Sequence, residues 1–197
     1  MKLLTGHKEI KFKQVQLFFT EGSQENIFAN MNNRTLSETI RNARYIKFKT
    51  IVDSKYSEFL NMNLGSFLLV LKQKNDPFYL KFLNKNGDQH YSIFFIKDEM
   101  IKKQKGLYLY TYDDQIKYIG RSKDPFGKRI NQGYGKINPK NCFIDGQSTN
   151  CHLNHLVTVH KNNIKFFVHE LTDVTEIIDL EAQLIMTYKP EWNICLK

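Results

Sequence analysis

The chain has 197 residues, a net charge of +9 and 13% aromatic residues, enough for one domain with a full core or for a domain of about 100 residues with a substantial addition. Its longest apolar runs, Ser66 to Leu71 and Ser92 to Ile96, fall far short of the roughly 20 residues a spanning helix requires, and Met1 to Thr5 lacks the apolar stretch of a signal peptide. A soluble, cytoplasmic protein is therefore expected rather than a membrane one, with no disulfide framework, because Cys142, Cys151 and Cys195 are sparse and odd in number.

Residues 1–33 carry little periodic pattern, and Lys11 to Thr20 is compatible with a strand or a short helix. Thr35 with Glu38 three residues later is a capping-box signature for a helix to about Arg44. Its Arg34, Arg41 and Arg44 make either a DNA-gripping face or a solvated one. Four runs then read as strands: Tyr45 to Val52, Ser66 to Gln73, Phe78 to Leu83 and Tyr91 to Lys97. Asn75-Asp76-Pro77 and Asn86-Gly87 fall between them as turn signals, which gives an antiparallel meander. No constellation in this region speaks of chemistry.

Lys102-Lys103-Gln104-Lys105 forms a charged joint into the most patterned stretch of the chain. Leu107 to Tyr112 alternates aliphatic with aromatic residues, the period of a strand with two differently used faces. Asp113 to Gln115 is the expected turn, and Ile116 to Ile119 the second strand, ending at Gly120. A three-residue loop pairs Tyr112 with Ile116 and places Tyr108 and Tyr118 on one face as diagonal neighbours; a two-residue loop sends them to opposite faces. Asp124-Pro125 supplies an N-cap and a first helical proline, with Arg129 one turn inside a helix that stops near Gly133-Tyr134-Gly135.

Residues 136–150 read as a loop, Asn154 to His160 as a helical turn or more, and Ile164 to Leu171 as a strand. Thr172 or Asp173 caps a last helix that runs to about Tyr188, before Pro190. Glu181 falls within that helix's apolar stripe of Ile177, Leu180, Leu184, Ile185 and Tyr188. Cys142, Cys151, His152 and His155 match no common zinc spacing, and the acid-x-Lys tripeptides Glu9-Ile10-Lys11 and Asp53-Ser54-Lys55 arise by chance in a chain this rich in both. Charge is uneven: residues 101–140 hold ten Lys or Arg against three acids, and residues 141–197 hold four against seven. A basic run that coincides with the most patterned stretch points to phosphate contact.

Gly106-Leu107-Tyr108, Tyr118-Ile119-Gly120, Arg129, Glu181 and Pro190-Glu191-Trp192-Asn193 together resemble the GIY-YIG endonucleases, with Leu where the first motif has Ile. The resemblance covers residues 106–195, about half of the chain. It implies an α+β fold: a small antiparallel sheet flanked by helices, here with an N-terminal β-rich addition. The expected division is residues 1–105 for DNA recognition and dimer contacts and residues 106–197 for the catalytic core.

The same resemblance implies hydrolysis of DNA phosphodiesters. Tyr108 would be the general base or orient the water, with Tyr118 beside it, and which of the two takes the proton stays open. Arg129 would contact the scissile phosphate. Glu181 would hold Mg²⁺, with Mn²⁺ as a substitute, because a single carboxylate suits a cation that keeps most of its waters. Lys117 is expected to help lower the phenol's pKa, Asn193 to pin the chain end, and Tyr134 to add a phosphate contact. Arg121, Lys123, Lys128 and Lys136 are the expected DNA-binding cations. The partner is double-stranded DNA, cut by a homodimer if both strands are broken at a symmetric site. Small type II restriction endonucleases with this core are most similar; a homing or repair nuclease, or a binding module without cleavage, are the alternatives.

Overall fold

The structure, a computed structural model, describes residues 1–6 and 8–194; Cys195, expected at the end of the core, lies outside the described residues. In chain order, strands Lys2–Thr5 (β1), Lys8–Lys11 (β2), Lys13–Val15 (β3) and Phe18–Phe19 (β4) precede helices Leu36–Thr39 (α1), Lys49–Lys55 (α2) and Leu64–Gln73 (α3). Phe94–Phe95 (β5), Glu99–Lys103 (α4), Gly106–Tyr112 (β6), Gln115–Ser122 (β7), Ser148–Val159 (α5), Ile164–Glu170 (β8) and Val174–Tyr188 (α6) follow. The chain forms two compact units, one from residues 1–22, 92–136 and 156 onward, the other from residues 23–91 and 137–155.

The first unit is built on a four-stranded antiparallel sheet of order β3-β8-β6-β7. The alternation in β6 separates its faces. Leu107 and Leu109, with Ile119 and Phe167, pack against Ile177, Leu180, Leu184 and Ile185 of α6, and Leu3, Ile10 and Phe12 from the β1–β2 region complete this core. Tyr108 and Tyr110 point to the other face and meet Tyr118, Tyr134 and Phe166 in an aromatic layer. Asp173 caps α6, accepting from the amides of Thr175 at 2.6 Å and Glu176 at 2.9 Å, and Lys189 in the left-handed region (φ 45°) ends the helix before Pro190.

The turn between β6 and β7 has two residues, not three. Tyr112 pairs with Gln115, and Asp113 and Asp114 both take positive φ, 49° and 58°, as a primed hairpin turn requires. Regular pairing from that turn would put Tyr118 opposite Leu109, on the α6 face. A β-bulge intervenes: Thr111 pairs with Ile116, Tyr110 with Tyr118, and Lys117 is the extra residue. The bulge restores the expected outcome by a different route, since Tyr108 and Tyr118 share a face with ring centroids 6.0 Å apart.

The second unit corrects the β-rich expectation for the N-terminal half. Three of the four strand-like runs are helical: Ile46–Phe48 (3₁₀) and α2 replace the first, α3 the second, and a 3₁₀ turn over Pro77–Lys81 the third. Of the fourth run only Phe94–Phe95 is a strand, and it belongs to the first unit. In α3, Leu64, Phe67, Leu68 and Leu71 recur at helical spacing and are all buried. Asp76-Pro77 acts as a helix start, with the Asp76 side chain accepting from the Phe78 amide at 2.9 Å. The capping box at Thr35 and Glu38 forms as expected, although α1 ends at Thr39. A core that includes Phe28, Leu36, Phe67, Phe82 and Phe143 holds this unit, and Arg34 is fixed there by Asp145 at 2.9 Å. The boundary expected at residue 105 gives way to an interleaved division, the second unit being two insertions within the chain of the first.

The outer edge of β7 is closed by the chain after α6. The Trp192 amide donates to the Lys117 carbonyl at 2.8 Å. The Asn193 side chain accepts from the Ile119 amide at 3.0 Å and donates to the Ile119 carbonyl at 2.8 Å, both buried. One carboxamide thus satisfies the peptide groups that a neighbouring strand would otherwise take. Replacing it by Ala strands a buried donor and a buried acceptor at about 1–3 kcal/mol each; Asn193→Ala is expected to lower unfolding stability by about 2–6 kcal/mol in urea titration, with the helical signal of the folded state unchanged.

Candidate active site

An open cleft of about 360 Å³ at the β7 edge of the sheet is lined by Tyr118, Arg121, Ser122, Lys123, Asp124, Arg129 and Glu181. β7 contributes from both of its faces. Tyr118 belongs to the aromatic layer, whereas Arg121, paired in register with Leu107, points to the α6 side. There its Nη1 donates to Glu181 Oε2.

Both motif glycines have steric reasons. Gly106 has φ +140°, and a Cβ there would lie 2.2 Å from the His169 carbonyl oxygen, so only glycine permits the close pairing of β6 with β8. A Cβ on Gly120 would lie 2.6 Å from the Tyr118 ring and 2.8 Å from the Tyr108 hydroxyl. Its absence makes the hollow in which the two phenols rest.

Arg129 extends from a helix that begins at Phe126, just after Pro125, and continues as a π-helical stretch over Lys128–Tyr134, closed by the Gly135 amide donating to the Ile130 carbonyl at 2.7 Å. The wider turn carries Arg129 and Tyr134 to one place: Arg129 Nε donates to Tyr108 Oη at 3.3 Å, and the guanidinium lies 5.4 Å from the centre of the Tyr134 ring. The phenol of Tyr108, ahead of Tyr134 and Tyr118, raises the Arg129 pKa further above its ordinary value, against desolvation. Behind them Tyr134 and Tyr110 are hydrogen-bonded through their hydroxyls at 3.1 Å. Burial pushes the phenols of Tyr110, Tyr118 and Tyr134 well up and keeps them protonated.

Tyr108 is 0% exposed and lies behind Tyr118, which reaches the cleft wall. Glu181 is 8% exposed; burial raises its carboxyl pKa, while the Arg121 charge and hydrogen bonds pull the other way.

Tyr108, Tyr118, Arg129 and Glu181 are thus brought together, and Arg121 and Lys123 join them on the cleft wall. Lys117 is not among the lining residues: it pairs with Glu191 at 2.8 Å. Tyr134 is fully buried under Arg129 rather than open to a phosphate. Lys128, exposed, pairs with Asp124 at 3.0 Å, Lys136 is exposed outside the cleft, and Asn193 braces the β7 backbone. Sequence reasoning missed the Arg121–Glu181 pair and the place of Tyr110. The signal for Tyr110 was its period-two relation to Tyr108; Arg121 carried no comparable signal, because its partner is sixty residues away.

The catalytic-domain model of the GIY-YIG family matches residues 90–194. The chain belongs to the GIY-YIG family. No curated protein and no solved structure matches it. GIY-YIG membership makes this a nuclease domain, with DNA as its substrate, in a family that generally uses divalent metal ions. No helix among the described residues is long and apolar enough to cross a membrane.

The tight fit at Gly120 yields a direct expectation. A methyl group there must displace two phenols already packed among Tyr110, Phe126 and Phe166. Gly120→Ala is expected to cost about 1–3 kcal/mol of stability and to lower DNA cleavage more than about tenfold, measured by urea unfolding and single-turnover cleavage of one duplex.

Proposed function

We propose that this protein is a divalent-metal-dependent, site-specific type II restriction endonuclease, whose cleft at the β7 edge hydrolyses one DNA phosphodiester per protomer. The observation that carries the hydrolytic reading is the placement of a phenol, a guanidinium and a buried carboxylate on the walls of one open cleft. Phosphodiester hydrolysis needs those three kinds of group: one to handle the attacking water, one to bear on the nonbridging oxygens, and one to serve the leaving oxygen.

Tyr118 faces the cleft and, held protonated by burial, orients the water. Tyr108 sits directly behind it, in hydrogen-bond contact with Arg129; in its phenolate form it would accept the Tyr118 proton as Tyr118 takes one from the attacking water. Arg129 turns its fork of N–H groups toward the phosphate, anchored by Tyr108 and Tyr134. Lys123 and Arg121 add positive charge along the path of the backbone, with Lys128 and Lys136 as outlying contacts.

Glu181 is the proposed ligand of Mg²⁺, or of Mn²⁺ in its place. The donor set fits such an ion: one carboxylate on an open cleft leaves room for the water shell Mg²⁺ retains. A cation bound there supplies charge stabilisation to the leaving oxygen.

The restriction reading is supported by the second unit. It is a compact unit formed by two insertions within the chain of the catalytic unit, with eleven Lys or Arg against seven Asp or Glu, a balance of +4. We assign it base recognition and dimer contact, and propose a homodimer on DNA, since one cleft cuts one strand and a double-strand break at a symmetric site calls for two. Digestion of a sequenced plasmid with Mg²⁺ and mapping of the ends tests this: recurrent double-strand ends at a symmetric sequence are expected. Scattered nicks would support a repair or homing nuclease, and no cleavage with any divalent cation a binding module.

On a substrate so defined, Glu181→Gln is expected to bind the duplex and not cut it. Arg129→Ala is expected to lose about 10²–10³ in rate, and Tyr108→Phe and Tyr118→Phe about 10²–10⁴. Single-turnover rates rank the four; wild-type cleavage by Glu181→Gln would contradict the assignment.

A further inference from the structure

Two arginines reach the cleft, and they are held in different ways. Arg129 is locked onto a buried bed by Tyr108 and the Tyr134 ring. Arg121 stands on an edge strand, its side chain 36% exposed, and is paired with Glu181, whose side chain is 11% exposed. The guanidinium therefore occupies the carboxylate on which the proposed cation depends, donating to it from Nη1. A divalent cation brought to the same carboxylate meets a like charge at contact distance, which is repulsive in a partly buried site.

We propose that Arg121 is an exchangeable counter-ion of Glu181: it holds the carboxylate in place before cation loading, and on loading it is displaced from Glu181 into the cleft, where its fork engages a DNA phosphate. This inference rests on the reading of Glu181 as the cation ligand. It makes Arg121 a positioning residue that couples cation binding to DNA binding. The geometry allows the exchange, because Arg121 and Glu181 line the same cleft as Lys123 and Arg129, and a long, partly exposed side chain on an edge strand can swing without disturbing the ladder behind it. Loss of the pair removes the cation in direct contact with Glu181 and leaves the more distant charge of Arg129.

The test measures cation binding directly, without DNA and without cleavage. Free Mn²⁺ is titrated by electron paramagnetic resonance at about pH 8, where a carboxyl group is ionised, on the full chain and its Arg121→Gln, Arg121→Lys and Glu181→Gln variants, each checked for folding by circular dichroism. Arg121→Gln is expected to bind Mn²⁺ about tenfold or more tightly than the wild type, a step of 1.4 kcal/mol or more, with Arg121→Lys, which keeps the charge, near the wild-type value. In a second arm, duplex affinity measured with Ca²⁺ against EDTA is expected to rise on cation addition in the wild type and to rise less in Arg121→Gln. Equal or weaker Mn²⁺ binding by Arg121→Gln overturns the proposal, as does absence of binding in both proteins. Undiminished binding by Glu181→Gln instead overturns the reading of Glu181 as the ligand, so the two failures are distinct.

Discussion

The pairing of β6 with β7 carries one residue too many on the β7 side, and the side chains of the candidate site on that strand take their direction from this. The two-residue turn at Asp113-Asp114 matches the strand twist through two positive φ angles. Continued without interruption, it would bury Tyr118 against α6 and leave Arg121 among the phenols. The unpaired Lys117 resets the alternation. After it, Tyr118 and Gly120 belong to the aromatic face and Arg121 to the α6 face, and one edge strand lines a cleft from both sides. The closure by Trp192 and Asn193 holds that edge on either side of Tyr118, at Lys117 and Ile119.

Around this register the sheet separates two environments. Its aliphatic face is an ordinary core with α6. Its other face gathers Tyr108, Tyr110, Tyr118 and Tyr134 about one guanidinium, and the polar tips satisfy each other: Arg129 with Tyr108, Tyr134 with Tyr110. Arg129 is held there by the Tyr108 hydroxyl and the Tyr134 ring while it lines the cleft. Glu181 shows the opposite arrangement, a carboxylate pushed toward protonation by burial and held by the mobile charge of Arg121. Of the two arginines on the cleft, one is thus fixed and one, on our proposal, exchangeable, a division suited to binding a phosphate before and after a metal ion arrives.

Much of this was legible in the sequence where local pattern and chemistry agree. Alternation in Leu107 to Tyr112, the Asp173 cap and the position of Glu181 in the apolar stripe of α6 each point to the structure found. The β-bulge was not legible, because a bulge is chosen by cross-strand packing rather than by the residues beside it. In the second unit, Leu64 to Gln73 is apolar on nearly every side, so a buried helix and a buried strand look alike by composition. The helical spacing of Leu64, Phe67, Leu68 and Leu71 was the discriminating feature. Asp76-Pro77 is a turn signal by composition, and the same pair is also a helix start. Long-range contacts such as Arg121 with Glu181 leave no local trace at all.

The central claim is that DNA lies across the cleft at the β7 edge, and hydrogen–deuterium exchange tests it without relying on cleavage. With a duplex carrying the mapped site and Ca²⁺ in place of Mg²⁺, amides of residues 122–136, which connect β7 to Arg129 and Tyr134, are predicted to exchange more slowly than in the free protein. The β1–β2 region, which packs with α6 on the far face of the sheet, is predicted to be unchanged. Slowing confined to residues outside 116–136 would place the DNA elsewhere and contradict the account.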